Sequence, residues 1–389
     1  MNIFNFKAIS TKHLFTNKKI AIVSVINDLV TDVRVNKICH TLIECNYQVL
    51  LIGRVLPSSK PIPSWAYKTH RFKLVFNKGP LFYLFFNLKL FFKLLFVRSD
   101  LLYANDLDTL LPNYLVARIK KIPLIYDSHE LFCEVPELQH SPFKRKMWLW
   151  LEKAIVPKLK NNITVSEGIA KWFKDKYKVD FMVIRNIPVH HNVLKVKTRQ
   201  ELNLPTHQKI ILLQGAGINI DRGAEELIEA MQFVSDAMLY IIGSGDVWEK
   251  LKQSIIEFNL QSKVIMIEKI PKEELMHYTA NADLGLCIDK NTNLNYFYSL
   301  PNKLFDYIHA EIPVLASRLH EIEKIIHQYQ IGEFIENHDA KHLAQRINDL
   351  LASPKLNEYK LNAHKAALNF NWELEKKGLV KMIENAQNF

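Results

Sequence analysis

What most restricts the possible folds of this chain is a pattern that occurs twice. Apolar runs of strand length alternate with helix-length amphipathic segments. The first series has KKIAIVSVI, YQVLLIG, DLLYA, IPLIYD, NITVS and FMVIRN as strands. Helical periodicity lies between them at Val33–Cys45, Leu107–Lys120, Pro142–Leu159 and Glu167–Lys176. The second series has KIILLQ, AMLYIIG, KVIMIE and ADLGLCI, with helices at Ala224–Phe233, Val247–Phe258 and Lys272–Ala280. Strands joined by helical crossovers run parallel, and fully apolar strands are covered on both faces. The stretch from Asn186 to Gln208 has prolines and no clear period, so it reads as a connection. The expected fold is α/β, two tandem Rossmann-like doubly wound domains facing across a cleft. The expected bounds are 1–190, a linker at 191–208, a second domain at 209–365, and terminal helices at 366–389 packing back toward the first.

In such sheets ligands bind beyond the carboxyl ends of the strands, so the residues there are the candidates. In the first half they include Asp28, Asp32, Arg34, His129 and Glu130; in the second they are glycine-rich. Gly215 and Gly217 follow one strand, Gly243 and Gly245 the next, in a chain with 11 glycines. Glycine permits the close backbone approach that a phosphate or sugar needs. Then comes SLPNKLFDYIHAEIPVLAS, read as loop, helix and strand. Ser299 is the expected cap and Pro301 the expected first helical residue. The free N–H groups around Ser299, Leu300 and Asn302, with Lys303, would suit an anion.

Composition narrows the partners. The net charge of +11 favours anionic ones, but no arginine-rich tract or zinc-finger spacing supports nucleic acid. Cys39, Cys45, Cys133 and Cys287 are scattered, which argues against a disulfide frame or structural zinc and suits a reducing cytoplasm. The first fifteen residues lack a secretory signal pattern. PLFYLFFNLKLFFKLLFV, 80–97, is too short and too charged for a comfortable membrane span of about 20 apolar residues. Two readings fit it, a buried core helix or a helix lying in the membrane interface. Asp106 and Asp108 read as helix-start residues rather than metal ligands. The adjacent His190 and His191 read as linker residues.

In order, GAGINIDRGAEELIEAM, LYIIGSGD, IPKEELMHYTANADLGLCI, SLPNKLFDYIHAEIPVLAS and NWELE resemble the family-4 glycosyltransferases of GT-B fold. NDLVTDVRV and YDSHELF in the first half are similar to members that build bacterial surface polysaccharides. The resemblance implies retaining transfer of a hexose-type sugar, from a UDP- or GDP-sugar on the rear half to a lipid-linked or glycan acceptor on the front half. It implies no metal and no cofactor beyond the nucleotide-sugar substrate. The interfacial reading of 80–97, with Lys73, Lys78, Arg98 and the net charge beside it, would make such an enzyme cytoplasmic and peripheral at the inner face of the plasma membrane, touching anionic lipid.

Residue by residue, the resemblance makes Arg222 and Lys303 the cations on the leaving diphosphate, and Asp306 the ribose-binding carboxylate. Lys269 and Ile270 stand where the nucleobase is read, His129 stands near the reaction centre, and Asp28, Asp32, Arg34 and Glu130 are expected to line the acceptor side. Tyr298 stands at a donor-sugar position where the family has Glu. Ala216 and Gly217 replace an expected Arg, and Glu311 an expected Gly. The nearest alternatives are a sugar-nucleotide epimerase of the same fold, or an inactive membrane-associated scaffold that binds sugar nucleotides.

Overall fold

The computed structural model describes residues 18–387, apart from 58, 140 and 190–195. The N-terminal segment and His190–His191 therefore lie outside the described residues. The chain forms two all-parallel sheets. The front sheet is built from β1 (Ile20–Asp28), β2 (Gln48–Arg54), β3 (Lys68–Phe72), β4 (Leu101–Asn105), β5 (Leu124–Ser128), β6 (Asn161–Thr164) and β7 (Met182–Val183). Its order is β3-β2-β1-β4-β5-β6-β7. The rear sheet is built from β8 (Lys209–Gly215), β9 (Ala237–Gly243), β10 (Val264–Glu268), β11 (Leu284–Cys287), β12 (Val314–Ser317) and β13 (Gly332–Ile335). Its order is β10-β9-β8-β11-β12-β13. Each sheet reverses direction in its strand order once, beside β1 in front and β8 behind, and both switch points open toward the cleft.

Each sheet is covered on both faces. In the front lobe, Ala21, Val23, Leu101, Tyr103 and Ile125 pack on one side. Ile22, Ile52 and Leu102 pack on the other. The final helix, Trp372–Gln387, leaves the rear lobe and buries Trp372, Leu379 and Ile383 in the front-lobe core beside Val35 and Ile38. The chain thus crosses between lobes twice, and the crossings touch, with Trp372 N–H donating to Pro188 O at 3.0 Å. Lys37 ties the first crossing down by donating to Asn186 Oδ1 at 2.8 Å and Ile187 O at 2.6 Å.

Four details differ from the sequence reading. The edge strands β3 (KTHRF) and β13 (GEFI) are short, with one apolar residue of five and two of four, so they carry little strand signal. The helix expected at Pro142–Leu159 ends at Ile155 and continues as a single 3-10 turn, Val156–Lys158. Pro157 has no N–H to continue an α-helix. The connection is shorter than expected, because residues from about 197 onward belong to the rear lobe. Arg199 donates to Asn281 O at 2.8 Å and Asp283 Oδ2 at 2.7 Å, and Leu204 is in the rear core. Finally, Ser299 is not the N-cap of the helix that follows. It ends a short helix, Leu294–Tyr298, and its hydroxyl donates back to Tyr296 O at 2.9 Å. Pro301 itself is the N-cap of the helix Asn302–His309.

The Phe-rich segment is the helix Gly79–Phe96. Phe82, Phe86, Leu90 and Leu94 form a buried i, i+4 stripe against the sheet, while Leu84, Phe85, Phe92 and Phe96 face outward. The buried-helix reading holds for one face, and the other is apolar and exposed.

Candidate active site

The rear-lobe site is organised by a residue that the survey of strand ends passed over. Asp289 follows β11 and is fully buried. Its Oδ2 accepts from Arg222 Nη1 at 2.9 Å and its Oδ1 from Lys303 Nζ at 3.0 Å. Burial alone would push the Asp289 carboxyl up. Lys303 and Arg222 overcome that and hold it below the ordinary carboxylate range. Arg222 precedes the helix Ala224–Ala230, and its guanidinium lies 4.5 Å from the centre of the Tyr296 ring. Lys303 stands in the first turn of Asn302–His309. The two cations therefore converge, although 81 positions separate Arg222 and Lys303 in the chain. Two cations on one carboxylate leave one positive charge uncompensated in a largely desolvated place, where it acts strongly.

Asp306 lies one turn beyond Lys303 on the same helix face. Its Oδ2 accepts from Gln214 Nε2 at 3.0 Å, and Lys272 Nζ is 3.6 Å from its Oδ1. Gln214 is itself fixed, with its Oε1 accepting from Thr279 Oγ1 at 2.7 Å. Gln214 has no motif of its own; only its place at the end of β8 marks it.

The four glycines divide into two pairs. A Cβ on Gly243 would lie 1.8 Å from Gly215 O, and one on Gly245 1.9 Å from Ile218 O. These two serve the packing of one loop on the other. Gly215 and Gly217 have no neighbour closer than 3.8 Å to such a Cβ, so they leave space open. Lys269 and Asn302 are exposed, and Ile270 packs partly on the rear core. The Leu300 side chain is buried in that core, so only its backbone is available to a ligand.

Tyr298 departs furthest from its expected place. Its ring packs with the front-lobe cluster and edge-on to His320 at 5.5 Å. A Cβ on Gly168 of the front lobe would come within 2.2 Å of Tyr298 Cδ1. Tyr298 is therefore a lobe-to-lobe contact, its aromatic bulk seated where only glycine leaves room. Ser166 Oγ donates to Tyr298 O at 2.9 Å, and Gly168 N–H to Glu321 Oε1 at 3.0 Å across the same junction.

On the front lobe, His129 is gripped from two sides. Its Nδ1 is 3.1 Å from Asp106 Oδ2 and its Nε2 3.4 Å from Asp127 Oδ2. Its backbone N–H also donates to Asp106 Oδ1 at 2.8 Å. Burial would lower the imidazole pKa, but Asp106 and Asp127 raise it well above the ordinary histidine value. Asp106 adopts φ 59°, a left-handed conformation unusual for a residue with a side chain. Asp127 is fully buried and accepts from Tyr103 Oη at 2.8 Å.

Arg34 does not line the acceptor side. It is buried, with Nε and Nη2 bonded to Asp127 Oδ2 and Oδ1 at 3.0 and 2.8 Å and Nη1 to Ile184 O at 2.8 Å. It holds the carboxylate that holds His129. Asp28 and Asp32 act as caps, accepting from Val30 N–H and Val35 N–H at 3.0 Å each. Glu130 meets the rear lobe, with its Oε2 accepting from Asn295 Nδ2 at 3.2 Å. Burial, then Asp106, pushes its carboxyl up to about 7. Asp108 is buried and sits beside these carboxylates. Among the described residues no three His, Cys, Asp or Glu side chains gather as a metal set.

Two family models match the chain. One, described as Glycosyltransferase Family 4, matches residues 32–188. The other, Glycosyl transferases group 1, matches residues 195–366. No curated protein sequence matches. Among solved structures, sucrose-phosphate synthase from Thermosynechococcus elongatus is 17% identical with a TM-score of 0.78, over 95% of this chain and 99% of that one. The Anabaena protein HepE, solved with UDP and glucose, is 15% identical with a TM-score of 0.70, over 94% and 100%. WaaG, a glycosyltransferase involved in lipopolysaccharide biosynthesis, is 15% identical with a TM-score of 0.69, over 94% and 99%. At such identities these likenesses concern the fold. With a front half and a rear half that each match their own model, on two facing Rossmann-like domains, the chain belongs to the family-4 glycosyltransferases.

Proposed function

We propose that this protein is a retaining, metal-independent hexosyltransferase that uses a UDP- or GDP-sugar. Its acceptor is a lipid-linked or polysaccharide hydroxyl at the cytoplasmic face of the plasma membrane. The observation that carries this reading is the convergence of Arg222 and Lys303 on buried Asp289. When the bond between the sugar's anomeric carbon and the diphosphate breaks, negative charge grows on the leaving phosphate. A preorganised surplus positive charge, with the N–H groups at the start of Asn302–His309, stabilises it there. That is the work a divalent ion does in other enzymes.

Asp306 accepts from the ribose hydroxyls, and Gly215 and Gly217 leave room for the phosphates and sugar. The new bond forms between the acceptor oxygen and the anomeric carbon, and the acceptor proton passes to a leaving phosphate oxygen. His129, with its two ring nitrogens facing Asp106 and Asp127, places a positive charge beside the acceptor pocket and does not act as a base. HepE is solved with UDP-glucose, which supports a nucleotide-sugar of this kind.

The test is incubation with labelled UDP-, GDP- and ADP-sugars and a membrane extract as acceptor source, with thermal shift by the free nucleotides. Transfer to lipid or glycan with retained anomeric configuration is expected. Release of a free epimer would point to the epimerase alternative, and nucleotide binding without product to the scaffold.

A further inference from the structure

The front lobe carries an apolar face that nothing else in the described chain covers. The helices Gly79–Phe96, Leu107–Lys120 and Pro142–Ile155 pack together on one side of the front sheet. Tyr83 of the first meets Trp148 of the third edge-on at 5.2 Å. Each helix buries one stripe and presents a second apolar stripe outward. On the third helix that stripe is Phe143, Met147 and Trp150, at i, i+4 and i+7, with Phe143 83% and Trp150 69% exposed. On the middle helix it is Leu111, Leu115 and Ile119, and on the first it runs from Leu81 to Phe96, the last 80% exposed. Soluble monomers rarely leave aromatic side chains exposed in a contiguous band of this kind.

Charge says what covers it. Every exposed charged side chain of the three helices is basic: Lys89, Arg118, Lys144, Lys146 and Lys153. Their two acidic residues other than caps, Asp108 and Glu152, are both buried. An apolar face rimmed by cations alone complements an anionic headgroup layer over hydrocarbon. An open groove of about 440 Å³ between Phe72 and the outer face of Gly79–Phe96 has Lys89 and Lys93 at its edge.

The geometry of this surface suits lying on a bilayer rather than crossing it. Gly79–Phe96 is long and apolar enough to qualify as a span by composition. Its stripe from Phe82 to Leu94 is nevertheless fixed under the sheet. At about 1.5 Å per residue it also falls short of a hydrocarbon core of about 30 Å. Each of the three helices follows a front-sheet strand, so their N-terminal ends lie toward the cleft.

We propose that this three-helix face is a docking platform for anionic phospholipid bilayers, with Phe143 and Trp150 as a second anchor beside the Phe-rich helix. This deepens the membrane placement proposed above and does not depend on the transfer chemistry.

The test is co-sedimentation of the full chain with phosphatidylcholine vesicles, with and without phosphatidylglycerol, at low and high salt. Brominated acyl chains report on Trp150. Salt-sensitive binding to the phosphatidylglycerol vesicles is expected, with fluorescence quenching that Trp150→Phe removes. The pair Phe143→Asp and Trp150→Asp should weaken binding roughly a hundredfold, since each aromatic buried on docking is worth about one decade or more. The exposed pair Lys144→Glu and Lys146→Glu does the same without touching any apolar packing, should the aromatic variants misfold. Undiminished binding in both pairs, or no binding to either vesicle, overturns the proposal. So does a lipid-free dimer that the same variants dissolve, because a second copy would then cover the face. Sugar transfer to a water-soluble acceptor is the independent readout. If vesicle binding holds while that reaction is absent, the fault lies with the proposed function and not with the platform.

Discussion

Asp289 gathers Arg222 and Lys303 at one point, and under the proposed function each cation is an electrostatic donor in a desolvated site. Arg222→Ala and Lys303→Ala should each lower turnover about 10²-fold, with a lower melting temperature as well, because each removes a partner of fully buried Asp289. Full activity in both would end the assignment. Glu130 offers a test of a different kind. Its folded-state carboxyl titrates near 7, above its ordinary unfolded value, because burial and then Asp106 disfavour the anion. The folded protein therefore binds this proton more tightly than the unfolded chain does. The stability Glu130 contributes is fully present at acid pH and is lost as pH rises through about 7. Glu130→Gln should flatten that part of the dependence, measured by thermal unfolding from pH 5 to 8. An identical slope in the variant would show that other groups set it. Single residues were legible where a motif marked them, as with Lys303 and Asp306. Asp289 was not, because one acidic residue after a strand looks like any loop carboxylate. Arg34 was misplaced because its partner, Asp127, is 93 positions away, beyond any local pattern.

The interior strands and crossover helices could be read directly, since burial on both faces forces continuous apolar runs such as those of β1 and β9. The strands β3 and β13 could not, since each is short and carries only one or two apolar residues. The short helix Leu294–Tyr298 was hidden for another reason. Five residues are too few to show a period, and its start rests on the Asn293 side chain accepting from Tyr296 N–H at 2.8 Å. This helix carries Tyr298 to Gly168 on the helix Glu167–Tyr177. Gly168→Ala would ordinarily strengthen a helix by up to about 1 kcal/mol. Here the added methyl meets the Tyr298 ring, and overpacking should cost about 1–3 kcal/mol instead. A lower melting temperature, with a larger radius of gyration in solution scattering, is the expected outcome. A gain in stability would mean that the ring moves freely and does not hold the lobes.

The two-lobe plan follows from the repeated strand–helix alternation, and composition had no part in it. The terminal helices were expected to pack toward the first domain, but neither they nor the linker carry a signal of which side chains they meet. Trp372 opens the last helix, packs in the front-lobe core and lies 4.6 Å under Lys37 Nζ. Trp372→Ala should cost about 3–5 kcal/mol, on the scale of emptying a large core site. Hydrogen exchange should place that loss in the front lobe, although the residue follows the rear lobe in sequence. A loss confined to the rear lobe would contradict this packing. Because the Pro188 and Trp372 crossings lie side by side and share a hydrogen bond, the lobes are bound like the two covers of a book. A cover can swing about its spine but cannot slide along or lift away. How far any group travels as the lobes part is then set by its distance from that spine.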